Sequence, residues 1–481
     1  MKKIVFALSL CSILSYAQQK KDTTIVFKKR VLETTEIDFL SSYYKQDGTH
    51  SSVGGGIGSE KLTNATANIV IAMPLNDDDV LTIDSGISAY TSASSSNINP
   101  FNASGASSGG GEDDDDRVAA AALATGPTGS PWQASSGASQ SDVLAAINAN
   151  YSHSSDDRNF IWNADVAFSN EYDYTSIGFG GGISKLFNDK NSEVSLKVNA
   201  YLDQWRPIYP TELSEFGKYG SGFQSNGYFA GVTVYNQNGA ASSAYLPNSF
   251  TKWSAVGRNS YSASFGFSQV LTKKFQVSMF FDLLQQDGML STPYHRIYFA
   301  DKPNYYIGNP ASISNYENPS NSDVYRLADD IERLPNTRFK LPIGARLNYY
   351  LNEKVVFRTY YRYYSDDWDI QAHTASVEIP VKVSDKFTIF PMYRYYTQLQ
   401  SKYFAPFEQH LSTEKFYTSD FDLSTFNANQ YGAGFTYTDI FTAAKIWKFG
   451  LKNIDFRFNH YERTDGLQAD IATIAFKFVN Q

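Results

Sequence analysis

From residue 192 to 203 the chain reads SEVSLKVNAYLD, with an apolar side chain at every second position. In an extended chain Val194, Leu196, Val198, Ala200 and Leu202 point one way, and Glu193, Ser195, Lys197, Asn199 and Asp203 the other. The pattern recurs at 339–350, where Phe339, Leu341, Ile343, Ala345, Leu347 and Tyr349 oppose Lys340, Gly344, Arg346 and Asn348. Around 453–459, Ile454, Phe456 and Phe458 oppose Asn453, Asp455, Arg457 and Asn459. Period-two alternation specifies a sheet with one apolar and one wet face. Sixteen segments of strand character begin near residues 35, 62, 80, 143, 160, 175, 192, 258, 274, 338, 354, 370, 386, 428, 451 and 467. Each is about 10–15 residues long, which suits a tilted membrane strand with its flanks.

The connections carry a second pattern. Every even-numbered one but the last is short and polar: NDDD (76–79), SDDR (155–158), NDKN (188–191), TKK (272–274), NEK (352–354) and SDK (384–386). The last, near 439–449, is longer and more apolar. The odd-numbered ones hold every long loop, 46–60, 91–142, 204–257, 287–337 and 400–427. A soluble sandwich has no reason to segregate loop length by parity, whereas an outer-membrane barrel does so as a rule. A sheet crossing lipid must also close, because an open edge would leave backbone groups without partners. The expected fold is all-β, a closed antiparallel transmembrane β-barrel of about 16 strands (14–18) with long extracellular loops.

The N-terminus places such a protein beyond the inner membrane. MKKIVFALSLCSILSYAQ joins a positive end at Lys2 and Lys3 to the apolar run Ile4 to Leu14 and the small-residue site Ser15-Tyr16-Ala17. This reads as a signal peptide over 1–17, followed by a short periplasmic segment at 18–32 and the barrel at 33–481. Cleavage there would remove Cys11, the one cysteine of the chain. Mean hydropathy is −0.36, and no later stretch has the eighteen or so apolar residues of a spanning helix. Alternating strands are the class for which that average misleads. Formal net charge is −8, which excludes a general nucleic-acid binder.

Composition adds 34 Tyr and 34 Phe in 481 residues, residue types favoured in strands and at interfaces. Tyr43, Tyr44, Tyr90, Tyr172, Tyr174, Tyr201, Tyr363, Tyr364, Tyr395 and Tyr396 fall where strands should reach the outer interface. A tyrosine girdle is expected there. The segment VVFRTYYRYY (355–364) then becomes the eleventh strand, with Val355, Phe357, Thr359 and Tyr361 toward lipid. Its Arg358, Tyr360 and Arg362 would face the lumen.

By the same parity Arg346, Arg358, Arg362 and Arg394 point inward, with Lys382 from the twelfth strand. Asp38, Asp84 and Asp165 point inward from the first, third and fifth strands, and Asp455 from the fifteenth, beside Arg457. These nine are the pore-lining candidates. One basic and one largely acidic wall would set up a transverse field of the kind that orients small polar solutes. The alternative is that they pair with one another or with a plug and fill a closed lumen.

Other motifs are weaker. EDDDD (112–116) has neither the glycine turn nor the distal Glu of a calcium loop, and DDWD (366–369) and SDFD (419–422) are no better. GASSG (105–109) matches G-x-S-x-G within the Ser/Gly-rich stretch 91–142, without the strand-to-helix turn that motif needs. VGGGIGSE, from Val53, has no following helix to bind phosphate. His50, His153, His295, His373, His410 and His460 are dispersed, without metal-ligand spacing. No cofactor, metal or catalytic residue is expected.

Three stretches carry a family resemblance: VLETTEIDFLSSYYKQDGTHSSVGGGIGSEKL, LTIDSGISAYTSASSSNI, and the run from YSHSSDDRNF to KVNAYLDQW. They resemble a Bacteroidota-type family of uncharacterised exported proteins treated as outer-membrane β-barrels of unknown function. The resemblance implies location in the cell outer membrane and brings no activity or ligand. The expected function is porin-like passage of small hydrophilic solutes. A non-transporting barrel serving an envelope complex through loops 91–142, 204–257 and 287–337 is the second reading, and a barrel-embedded hydrolase using His373 the third. Outer-membrane lipid and the barrel-assembly machinery are the expected partners, with an envelope protein added under the second reading.

Overall fold

Sixteen antiparallel strands close into a barrel in the computed structural model, which describes residues 30–91, 142–171, 173–247, 257–317 and 323–480. The signal peptide, Tyr172, and EDDDD and GASSG in the low-complexity loop lie outside the described residues. The strands are β1 Glu36–Asp47, β2 Leu62–Pro74, β3 Asp79–Tyr90, β4 Asp142–Ser154, β5 Phe160–Asn170 and β6 Tyr174–Phe187. They continue as β7 Ser192–Trp205, β8 Gly257–Thr272, β9 Phe275–Gly288, β10 Thr337–Tyr350 and β11 Val356–Asp366. The twelfth, β12, runs in two pieces, Gln371–Glu378 and Val381–Lys382, because Pro380 has no N–H to give the ladder. The wall ends with β13 Phe387–Gln398, β14 Phe426–Thr438, β15 Phe449–Arg463 and β16 Gln468–Asn480. Each strand pairs with the next, and β16 returns to β1 in register from Glu36↔Val479 to Asp47↔Gln468.

Register carries the sequence alternation round the wall. Phe39 pairs with Ile69, Ser85 with Ile147, and Phe168 with Ile177, which meets Leu202. Apart from Ser85 these side chains are more than 40% exposed. They belong to an apolar band that would be untenable in water and is required against hydrocarbon. One residue along, Asp38, Val70, Asp84 and Asn148 form the matching row on the interior face.

The largest fully buried side chains lie above this wall rather than in it. Phe223, Phe229, Ile297, Tyr298, Phe299, Tyr325 and Tyr417 all belong to outer loops. Four connections build this second core through their described residues: L1 (48–61), L4 (206–247), L5 (289–317 and 323–336) and L7 (399–425). Val53 of L1, Phe223 and Tyr245 of L4, and Tyr305 and Tyr325 of L5 share one cluster. A three-stranded sheet joins Tyr235–Asn236 of L4 to Tyr305–Gly308 and Val324–Arg326 of L5. Bridges Phe299↔His410 and Arg333↔Tyr417 tie L5 to L7. Helix α1, Thr211–Tyr219, supplies Glu212, whose Oε1 accepts from Arg296 Nε at 2.8 Å, the two side chains being 1% and 0% exposed. The long loops therefore form a packed cap.

The cap crosses the mouth. L1 leaves the β1–β2 hairpin and L5 the β9–β10 hairpin, eight strands away and so half the circumference. Ser52 Oγ nevertheless lies 3.0 Å from His295 Nε2, and Arg296 reaches the Val53 carbonyl at 3.4 Å.

Candidate functional site

Beneath the cap the interior wall divides by chemistry. On β10–β15 the arginines are held by aromatic faces and carboxylates. Arg346 lies 5.6 Å from both the Phe280 and Tyr360 ring centroids. Arg358 donates to Glu378 at 2.8 Å, and Glu378 also accepts from Arg457 at 2.9 Å. Arg457 stacks on Phe390 and bonds Asp455 at 3.1 Å, while Asp455 accepts from Thr436. Glu378 is on β12 and Arg457 on β15, so their contact spans three strand spacings and fixes this face as the concave one. Arg362, paired in register with Thr374, has a buried Nε without a partner among the described residues. Arg394 shares the face, in register with Ser376 and Gln430.

The opposite wall, β3–β7, carries carboxylates and amides. Asp84 lines a recess of about 420 Å³ with Asn68, Ser88, Asn148 and Tyr201. Asp165 is 8% exposed, and its Oδ1 has no partner among the described residues. Across the ladder sit Gly180 and then Asn199. A Cβ on Gly180 would stand 2.5 Å from Asp165 Oδ2 and 2.7 Å from Asn199 Oδ1, so the two side chains occupy the space that glycine leaves. Asn199 Nδ2 donates to Ser262 at 3.1 Å, which turns its oxygen toward Asp165. Buried oxygens of Asn148 and Asn163 are likewise without donors, leaving this wall rich in unpaired acceptors.

Two candidates sit nearer the short-turn rim. Asp38 lies 3.5 Å from Lys477, which also bonds Glu36. Lys382 pairs with Asp385 of the following turn at 2.8 Å, away from the arginine group. Glu378 and Lys477 were missed from the sequence, though their parity with outward Val377 and Phe478 puts both inside.

The tyrosine girdle needs correction. Tyr43, Tyr363 and Tyr395 face outward, but Tyr44, Tyr90, Tyr174, Tyr201, Tyr364 and Tyr396 share the interior parity. Tyr44 donates to Gln46, Tyr90 to Glu171, Tyr364 to Asp366 and Tyr396 to Gln398, all at 2.6–2.8 Å. They line the neck under the cap. There Arg338 bonds Asp366 and stacks on Trp368, and Arg463 bonds Asp422 and Asp465. The DDWD and SDFD segments thus help to seat the cap.

His373 pairs with Tyr361 at 2.8 Å on the outward face. In the cap, burial pushes the Asp329 carboxyl up to about 6, although its Oδ2 accepts from the Phe299 amide at 2.9 Å. The one group of three ligand-type side chains found among the described residues is also there: His295, Glu332 and Asp420.

The family description "Protein of unknown function (DUF3570)" matches residues 4–472. No curated protein matches the chain in sequence. A bacterial polysaccharide outer membrane secretin is similar at TM-score 0.40 and 8% identity, over 93% of this chain and 98% of that one. The Pseudomonas putida toluene transporter TodX is similar at TM-score 0.35 and 9% identity, over 93% and 90%. OccK1 (OpdK) of Pseudomonas aeruginosa is similar at TM-score 0.33 and 7% identity, over 93% and 99%.

Proposed function

We propose that this chain, which belongs to the DUF3570 family of proteins of unknown function, is an outer-membrane channel for small hydrophilic solutes. Passage is through a charged interior and is regulated by the loop cap. One observation carries the reading: an arginine wall on β10–β15 faces an acid-and-amide wall on β3–β7, inside a barrel whose outer face is apolar. A structural filler would pair its charges off. Here Arg362 Nε and Asp165 Oδ1, on opposite sides, have no hydrogen-bond partner among the described residues, as groups that meet a passing solute or its water would. The cap adds a condition, because loops that meet across the mouth must part or leave side gaps before anything larger than water enters.

The second reading is a barrel that does not transport and presents its cap to an envelope partner. The interlocking of L1, L4, L5 and L7 favours it. Planar-bilayer conductance separates the two. The wild-type barrel should give small or flickering currents, and replacing residues 290–335 by a short polar linker should give a larger, steady conductance. A folded, uncapped barrel that stays silent would leave only the second reading.

A further inference from the structure

His295 and Glu332 come from the two ends of L5 and Asp420 from L7, and one ligand atom of each lies within 4.8 Å of the other two. The site is enclosed: the His295 side chain is 12% exposed and that of Glu332 3%. His295 Nδ1 stands 3.5 Å from Glu332 Oε1, yet it is buried without a hydrogen-bond partner among the described residues. Its Nε2 meets Ser52 Oγ at 3.0 Å. In the neutral ring, Nε2–H donating to that hydroxyl would leave the Nδ1 lone pair facing both carboxylates, the bracing usual behind a metal-bound histidine.

The carboxylates are braced too. Glu332 accepts from the Thr292 amide at 2.6 Å and the Thr418 hydroxyl at 2.5 Å. Asp420 accepts from the Asp422 amide at 3.0 Å. Arg463, the nearby cation, is engaged by Asp422 and Asp465.

We propose that His295 Nδ1, Glu332 Oε1 and an Asp420 carboxylate oxygen bind one divalent transition-metal ion of the zinc class, pinning L5 to L7 at the centre of the cap. Zinc takes nitrogen and oxygen donors at about 2.0–2.2 Å, which in a tetrahedron stand about 3.3–3.6 Å apart. The His295–Glu332 separation already has that value, and an Asp420 carboxylate oxygen within 4.8 Å of both would supply the third corner on closing in. Water would fill the fourth. Calcium is disfavoured, since it wants six to eight oxygens and an imidazole selects a transition metal.

The test uses the full-length barrel, stripped with chelator and folded in detergent. Zn²⁺ should bind at one ion per chain, undisturbed by millimolar Ca²⁺, and should slow proteolysis within L5. Asp420→Asn and His295→Gln should each weaken binding about tenfold or more, while Asp385→Asn in a distant turn binds as wild type. Altered mobility of unheated protein on a gel reports whether each barrel has formed. Folded wild type that holds no Zn²⁺, or wild-type affinity in both variants, overturns the site. Should a variant fail to fold, Co²⁺ on the wild type decides: a visible absorption band displaced by equimolar Zn²⁺ supports it, and no band overturns it. Conductance plays no part, so the outcome is independent of the channel reading.

Discussion

Ser52 and His295 meet at 3.0 Å although their hairpins stand half a circumference apart. Any such contact has to cross the barrel mouth. It makes the cap a two-ended structure, fixed to opposite walls, whose stability is separable from that of the barrel below.

The buried pair Arg296–Glu212 is the sharpest test of that separation. Arg296→Ala leaves Glu212 charged and enclosed at 1% exposure, which should cost the cap roughly 3–5 kcal/mol. Limited proteolysis should then cut L4 and L5 while the barrel band keeps its heat-modifiable mobility. Arg296→Met with Glu212→Leu should restore most of the protection. Unchanged cleavage in the single variant would refute the keystone role.

Selectivity should follow the arginine wall. Under a salt gradient, Arg346→Gln, Arg362→Gln and Arg394→Gln together should shift the reversal potential of the uncapped channel toward cations. Lys382→Gln should leave it unmoved, since Lys382 is taken up by Asp385. Equal shifts from the triple and the single variant would mean that these arginines do not border the path.

Gly180 has a steric role. Gly180→Leu places carbon where Asp165 and Asn199 now converge, within 2.7 Å of both. Destabilisation of about 1–3 kcal/mol is expected, read as a lower midpoint in urea. Asp165→Asn, which removes a buried charge without changing shape, should fold at least as well as wild type. If Gly180→Leu unfolds at the wild-type midpoint, the close approach is not real.

Cap stability should fall as pH rises. Asp329 is 4% exposed and is held near 6 by burial, against an ordinary 3.8. Arg326 and Lys302 oppose the shift and Asp330 adds to it. Below pH 3.8 both folded and unfolded forms are protonated, and nothing is lost. Between 3.8 and about 6 only the unfolded form ionises, so up to about 3 kcal/mol of cap stability disappears and stays lost above that range. Asp329→Asn can still accept from Phe299 and should flatten the dependence. Proteolysis of L5 at pH 4.5 and 7.5 measures it, and parallel slopes for the two proteins would count against this account.

The wall was legible because lipid on one side and water on the other impose a period of two, which residues such as Val194 to Leu202 keep. Even the break in β12 is written in Pro380. The cap was not legible. Ile297, Phe299, Tyr325 and Tyr417 owe their burial to partners in other loops, and irregular segments have no period to betray an inward face. His295 looked isolated for the same reason, since Glu332 and Asp420 are distant along the chain. The tyrosines were a different failure. Neighbours such as Tyr43 and Tyr44 cannot both face lipid on one strand, so alternation itself could have divided the girdle into an outer ring and an inner neck.

The β1–β16 ladder has a topological consequence. Every other ladder of the wall joins successive strands, whereas this one pairs Glu36 with Val479 and leaves Thr35 O and Asn480 N 2.9 Å apart. The wall is circular in space while the chain is linear. Linking those neighbouring ends and reopening the chain at the 188–191 turn would keep all sixteen pairings. It would also turn the β1–β16 closure into an ordinary hairpin and make β6–β7 the pair that joins the chain's ends, so the permuted protein should assemble with a different closing seam at a similar total loop-closure cost.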